Sequence, residues 1–270
     1  MSAMLVQLAD MTRRLFICGM VLLTLSGCAA PEPDPALTSI YKQTSDSLKE
    51  PVLAEITRLC GHFEDGSVPE SCDPNKSPIP VANPGTAGIE EQLSQVPQES
   101  LPVVVEVYSQ TYALTPTPER PSQLFDGIDF TSFIEDTGAS ATADKSAVAS
   151  AIERELGVLY TIGTIRAFAD NPTRDRLDDL EDQHEKVLAA LTENLTTAAN
   201  PPAIPAGYQI PSDILPPDQP LTNNQDAIGA VEKLTETTEA FWRRTAETAQ
   251  TTPWRIGSIR IATLLSTPNG

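Results

Sequence analysis

The sequence predicts an all-α protein, a helical bundle with extra N-terminal helices and long proline-rich loops. Three observations carry this prediction. Apolar residues recur at three- and four-residue spacing in several stretches, which is the period of one helix face. No alternating apolar stretch turns back into a second one, so no strand hairpin is evident. The 24 prolines among the 270 residues gather between the periodic stretches and cut the chain into blocks. A hydrophobic fraction of 40% is enough for a sizeable core.

Taken in order, the chain opens with a segment that reads as an address. Met11-Thr12-Arg13-Arg14 is positive, and an apolar run follows from Leu15 to Leu25. The run is too short to span a bilayer comfortably and is flanked as an export signal is. It ends in Leu25-Ser26-Gly27-Cys28, which resembles the lipobox of bacterial lipoproteins. That resemblance implies cleavage after Gly27 and a diacylglycerol on the Cys28 thiol. Residues 1–10 add nothing an export signal needs, so Met11 is an alternative start. Thr12 to Ile17 also resembles a twin-arginine signal, although any export signal carries positive charge there.

Removing residues 1–27 takes out Asp10, Arg13 and Arg14 and leaves a net charge of −20. Such a surface repels anionic head groups, so attachment to the membrane would rest on the acyl chains. Residues 28–36 then read as a stiff Pro-rich tether. The whole chain carries 18 basic and 37 acidic residues. A nucleic-acid partner is excluded on that balance, because phosphate binding needs a basic face.

Cys18 lies in the removed segment and Cys28 is the lipid carrier. Cys60 and Cys72 remain, an even pair in an exported chain, and are expected to form a disulfide. Closing that loop contributes about 3 kcal/mol.

An N-terminal helical region is expected over 37–114. Leu37, Ile40, Tyr41, Thr44 and Leu48 repeat at helical spacing, and Val52, Ile56 and Leu59 resume after Pro51. This predicts a helix kinked or restarted at Pro51. Prolines make 64–85 a loop. Ile89, Leu93 and Val96 form a short helix stopped by Pro97. Ser100 is a candidate cap for a helix carrying Leu101, Val104, Val105, Tyr108 and Tyr112, with Pro102 in its first turn. Residues 115–143 read as an irregular loop pinned by Phe125, Ile128, Phe130 and Phe133.

The bundle proper is expected over 144–267. Asp144 is a plausible N-cap for a helix to about Ala169, with Val148, Ile152, Leu156, Leu159 and Gly163 on one face. Asp170-Asn171-Pro172 turns the chain into a second helix bearing Leu177, Leu180, Leu188, Leu191 and Leu195. A Pro-rich linker over 199–222 leads to a helix from about Asn224 to Ala249, and Thr252-Pro253 starts the last one.

Two stretches resemble a known family. One is Ala151 to Leu195, with Glu153-Arg154-Glu155-Leu156, Tyr160-Thr161-Ile162-Gly163 and Glu181-Asp182-Gln183-His184. The other runs from Gly207-Tyr208-Gln209-Ile210-Pro211 through the terminal helices with Trp242 and Arg255. Together they are similar to the ferritin-like domain of uncharacterised lipoproteins of actinobacteria. The resemblance implies a ferritin-like four-helix bundle over about the last 120 residues, and implies no activity.

Ferritin-type chemistry uses two helices with a Glu and two with Glu-x-x-His. Glu181-x-x-His184 supplies one such motif, and Glu155 lies within about one turn in level of it. Glu155, Glu181 and His184 are therefore the candidate ligands for iron or manganese. With only two histidines in the chain, His62 and His184, the other half of such a site is missing. The alternative is that His184 is a core histidine bonded to Glu155 or Tyr160. Glu90-Glu91 and the acidic cluster Asp178, Asp179, Glu181 and Asp182 read as solvated helix faces. Tyr160, Phe241 and Trp242 are candidates for the wall of an internal pocket. The expected function is that of a non-catalytic, membrane-anchored extracytoplasmic lipoprotein, without a cofactor, binding an envelope protein or ligand. The alternative is a degenerate metal-binding bundle.

Overall fold

A computed structural model describes residues 31–79, 85–112, 124–128, 130–196 and 209–266. Among them are nine α-helices and no strand. They are α1 (Pro35–Gln43), α2 (Lys49–Cys60), α3 (Thr86–Gln92), α4 (Leu101–Tyr112), α5 (Phe130–Glu135), α6 (Ala139–Arg166), α7 (Asn171–Thr196), α8 (Asn224–Thr248) and α9 (Thr252–Ser266). The export segment, Cys28, Thr115 to Pro118, Pro201 to Pro205 and Gly207-Tyr208 lie outside the described residues.

Helix α1 starts where Asp34 accepts the Leu37 N–H at 2.9 Å, with Pro35 in the first turn. Its break comes at Thr44-Ser45 and not at Pro51. The Thr44 hydroxyl donates to the Ile40 carbonyl at 2.7 Å and closes the last turn. Pro51 sits within the first turn of α2, where a missing N–H leaves no gap. Ser100 is not a cap either: its hydroxyl donates to Glu55 at 2.6 Å. Residues 101–112 are helical despite Val103-Val104-Val105, because both flanks of the stripe are buried. Leu37, Ile40, Val52, Ile56, Ile89, Leu93, Val104 and Tyr108 form one apolar cluster with Ala246 and Ile259 from the bundle.

The Cys60 and Cys72 sulfurs are at disulfide distance, with Cα atoms 6.1 Å apart. The loop they close holds a 3-10 turn over Glu70–Cys72, where only irregular chain was expected. The predicted tether is not free from Pro31 onward. The Ser71 hydroxyl donates to the Pro31 carbonyl at 2.6 Å.

The stretch expected to be irregular contains α5, and α6 starts five residues before Asp144. Alanines at 139, 141 and 143 favour helix without adding an apolar stripe that periodicity could reveal. Phe125 and Phe133 are buried, as expected, Phe125 lying over Gly257 of α9.

Helices α6 and α7 form an antiparallel hairpin, and α8 and α9 a second one. Asp170 accepts the Thr173 N–H at 3.0 Å and starts α7. Asn223 accepts the N–H groups of Gln225 (2.8 Å) and Asp226 (3.1 Å) and starts α8. The two starts are tied together, since Asn224 donates to Asp170 at 2.9 Å and accepts its N–H at 2.8 Å. At the other end Arg255 donates to the carbonyls of Leu93 (2.9 Å) and Ala249 (2.6 Å), joining the α8–α9 corner to the N-terminal helices.

Candidate functional site

Three helices of the bundle bring one polar group each into the dry core. Glu155 of α6, His184 of α7 and Trp242 of α8 are all fully buried. His184 Nδ1 lies 2.6 Å from Glu155 Oε2. The indole N–H of Trp242 donates to Glu155 Oε1 at 2.8 Å. An indole N–H can only donate, so that carboxylate oxygen is an acceptor. A proton on Nδ1 would make this contact a hydrogen bond donated to the other oxygen. His184 Nε2 then faces the core, and it has no hydrogen-bond partner among the described residues. Trp254 of α9 closes the cluster edge-on, its ring centroid 5.9 Å from that of Trp242.

Glu155 stands within the buried face of α6. That face includes Val148, Ala151, Ile152, Glu155, Val158, Thr161, Ile162 and Ile165. Leu156 and Leu159 lie at its edge and Gly163 is exposed. The small residues Ala151 and Gly157 permit close packing here. The α7–α8 linker crosses at Gly157, where an added Cβ would meet the Gln209 carbonyl oxygen at 2.5 Å.

The structure does not bring Glu181 to this site. Its carboxylate pairs with Arg166 at 2.6 Å across the hairpin, and Arg166 also holds Asp178 at 2.7 Å. Those hydrogen bonds raise the Arg166 pKa, the Glu181 bond most of all. Of the three candidate ligands, only Glu155 and His184 meet, and both oxygens of Glu155 are engaged, one by the Trp242 N–H and one by the His184 ring. No group of three His, Cys, Asp or Glu side chains that could hold a metal ion occurs among the described residues. The residues therefore do not fit a ferritin-type carboxylate centre. Of the two histidine partners the sequence offered, Glu155 is the one found; Tyr160 is half-exposed.

Trp242 was missed as the third member. The signal for it exists, because a buried tryptophan needs an acceptor for its N–H and the sequence offers few buried ones. Glu90 was misread as a solvated face. It makes a two-pronged pair with Arg260 of α9, both bonds at 2.7 Å, and accepts the Tyr108 O–H at 2.5 Å. Burial opposes the charge on Arg260, but the Glu90 bonds outweigh it and raise the arginine. Burial, with Glu90 beside it, pushes the Tyr108 phenol up. This network locks α3, α4 and α9 together.

Tyr160, Phe241 and Trp242 do not line a common pocket, since Trp242 is buried while Tyr160 faces outward. Phe241 instead borders an open groove of about 500 Å³ with Arg154, Arg243 and Arg244. Arg154 stacks on Phe241 at 4.8 Å and pairs with Asp213 at 2.8 Å, while Arg243 pairs with Glu106 and Glu239. The groove thus carries its own counter-charges.

The family described as a domain of unknown function (DUF4439) matches residues 147–262. The match begins within α6, ends within α9 and includes Glu155, His184 and Trp242. No curated protein and no solved structure matches the chain significantly.

Proposed function

We infer that the chain is an exported lipoprotein held at the outer face of the cell membrane by a diacylglycerol on Cys28. Its helical part is a ferritin-like four-helix bundle with a binding or structural role in the envelope and no catalysis. The carrying observation is the run Leu25-Ser26-Gly27-Cys28 behind a positive segment and a short apolar stretch. Two further facts support the reading. Cys60 and Cys72 sit at disulfide distance, which suits an oxidising compartment outside the cytoplasm. No helix among the described residues is long and apolar enough to cross a membrane, which is compatible with a lipid anchor.

Support for the ferritin-like bundle comes from topology. Two antiparallel hairpins, α6–α7 and α8–α9, are joined by a long connection, as in bundles with one crossover. Support for a non-catalytic role comes from the core. The one buried His–carboxylate pair is committed to a tryptophan N–H, and Glu181 is turned away to Arg166. A protein or ligand of the envelope is the partner this reading expects, and nucleic acid is not.

The test is mass spectrometry of the mature N-terminal peptide from the membrane fraction of expressing cells. The reading expects a peptide that begins at Cys28 and carries the mass of a diacylglycerol. It also expects a Cys28→Ser variant to leave the membrane fraction. A mature chain that begins at another residue, or an unmodified Cys28, overturns it.

A further inference from the structure

We propose that the disulfide loop between Cys60 and Cys72 is the membrane-facing surface of the protein, seated on the bilayer that holds its own lipid anchor. The proposal rests on the lipid-anchor reading and adds an orientation to it. It commits to one occupant, a phospholipid surface.

The first observation is where the described chain begins. Pro31 stands three residues after Cys28, so at most about 11 Å of extended backbone separates them. The Pro31 carbonyl accepts the Ser71 hydroxyl at 2.6 Å and lies 3.9 Å from Cys72 Sγ. Asp34 then caps α1 three residues later. A lipidated Cys28 therefore lies within that reach of Pro31 and of the loop that Pro31 contacts. A longer tether would need free chain after Pro31, where Pro31 and Asp34 are both held.

The second observation is what the loop displays. Phe63 is 57% exposed and Val68 41%, among the few large apolar side chains on the described surface that face water. They flank a tight turn, in which the Gly66 N–H donates to Phe63 O at 2.9 Å and the Phe63 N–H to Ser67 O at 2.8 Å. Asp65 accepts the Ser67 N–H at 2.9 Å and pins the turn further. Gly66 adopts φ 80°, which other residues avoid. A rigid loop closed by a disulfide thus holds two apolar groups outward at little entropic cost. Interfacial positions suit such side chains, and the bilayer would bury them.

The third observation is charge. The loop carries Glu64, Asp65 and Glu70, and its nearest cations, Arg58 and Lys76, pair with Glu55 and Glu70. Head-group attraction therefore does not drive the contact. The acyl chains hold it, and Phe63 and Val68 set its orientation.

The far end of the molecule supplies the control. Phe168, 39% exposed, lies in the α6–α7 turn, next to Asp170 and the start of α8. The N-terminal helices pack around Ala246, near the end of α8. Those two levels are 22 residues apart on one helix, roughly 33 Å.

The experiment uses the lipidated full chain in phosphatidylcholine vesicles containing brominated acyl chains as quenchers. Native Trp242 and Trp254 are fully buried, so a new surface tryptophan is readable above them. Three variants are compared: Phe63→Trp, Val68→Trp and Phe168→Trp. The proposal expects quenching at positions 63 and 68 at least threefold above that at 168. Equal quenching at both ends, or a tryptophan at 63 that lipids do not quench while the protein floats with the vesicles, overturns it. The latter pattern would point to a second copy or another protein on this loop. Flotation of the unsubstituted protein against Cys28→Ser is read in parallel. Failure of both to float overturns the anchor reading and the orientation with it. Flotation with equal quenching overturns the orientation alone.

Discussion

Glu155 accepts the indole N–H of Trp242 at 2.8 Å across 87 positions of sequence, and so joins α6 to α8 inside the core. Its second oxygen meets His184 and adds α7. One carboxylate therefore coordinates three helices, and its removal strands two polar groups in a dry place. Glu155→Ala is expected to destabilise the protein by roughly 3–5 kcal/mol, as in other cases where one partner of a buried pair is deleted. Glu155→Gln keeps an oxygen for Trp242 and is expected to cost about 1–2 kcal/mol. Urea denaturation checks the order. An alanine variant as stable as the glutamine one would show that the carboxylate does not organise the core.

Asp144 performs a second long-range task. Its carboxylate accepts the N–H groups of Gln250 (3.0 Å) and Thr251 (2.7 Å) and the Thr251 hydroxyl (2.7 Å). It is thus an interior residue of α6 that caps the start of α9. Asp144→Ala is expected to lose about 1–2 kcal/mol, the usual worth of a cap. The loss should be local at first. Amide exchange at Gln250 and Thr251 should quicken well before that of the α6–α7 hairpin, and unchanged exchange there would refute the capping role.

These two carboxylates show what the sequence could reveal and what it could not. The start of α8 was legible because its cap chemistry is local: Asn223 bonds two and three residues ahead. The turn at Asp170 was legible for the same reason. Asp144 looked like a cap and is one, but for α9, whose approach it binds at Gln250, 106 positions away, a distance no local pattern encodes. The large residues Leu156 and Leu159 suggest one face of α6, but they lie at its edge, and Ala151, Glu155 and Thr161 are buried. Glu181 followed its motif spacing to His184, but Arg166 across the hairpin offers a solvated ion pair that a helix period does not show.

Two glycines of α6 make opposite predictions from the same helix. An added Cβ at Gly157 would stand 2.5 Å from the Gln209 carbonyl oxygen and 3.2 Å from Pro211. Backbone cannot swing away as a side-chain end can, so the linker must shift. Gly157→Ala is expected to destabilise by about 1–3 kcal/mol, as overpacking does. At Gly163 nothing lies within 4 Å. Gly163→Ala should stabilise by about 0.5–1 kcal/mol through helix propensity alone. Thermal melts of the pair test both signs, and two shifts in the same direction would contradict the linker contact at Gly157.

Glu55 links stability to pH at the base of the N-terminal helices. The Arg58 guanidinium donates to it at 2.6 and 2.8 Å and lowers its pKa, burial works the other way, and the Ser100 hydroxyl at 2.6 Å lowers it further. The net shift is downward from the ordinary glutamate value of 4.5. A carboxyl with a depressed folded pKa binds its proton less readily when folded than when unfolded. Its stabilisation is therefore complete above the unfolded pKa and disappears as pH falls through the folded one. Between pH 6 and 8 it is constant. Glu55→Gln should lower stability by about 1 kcal/mol at pH 6, the scale of hydrogen bonds to a partly buried carboxylate. The gap between the variant and the parent should shrink steadily once pH drops below about 4.5, where the unfolded carboxyl takes up its proton. Urea midpoints measured at pH 6, 4.5 and 3 report it. A gap that stayed constant down to pH 3 would mean that the lost interaction is packing of the side chain and not its charge.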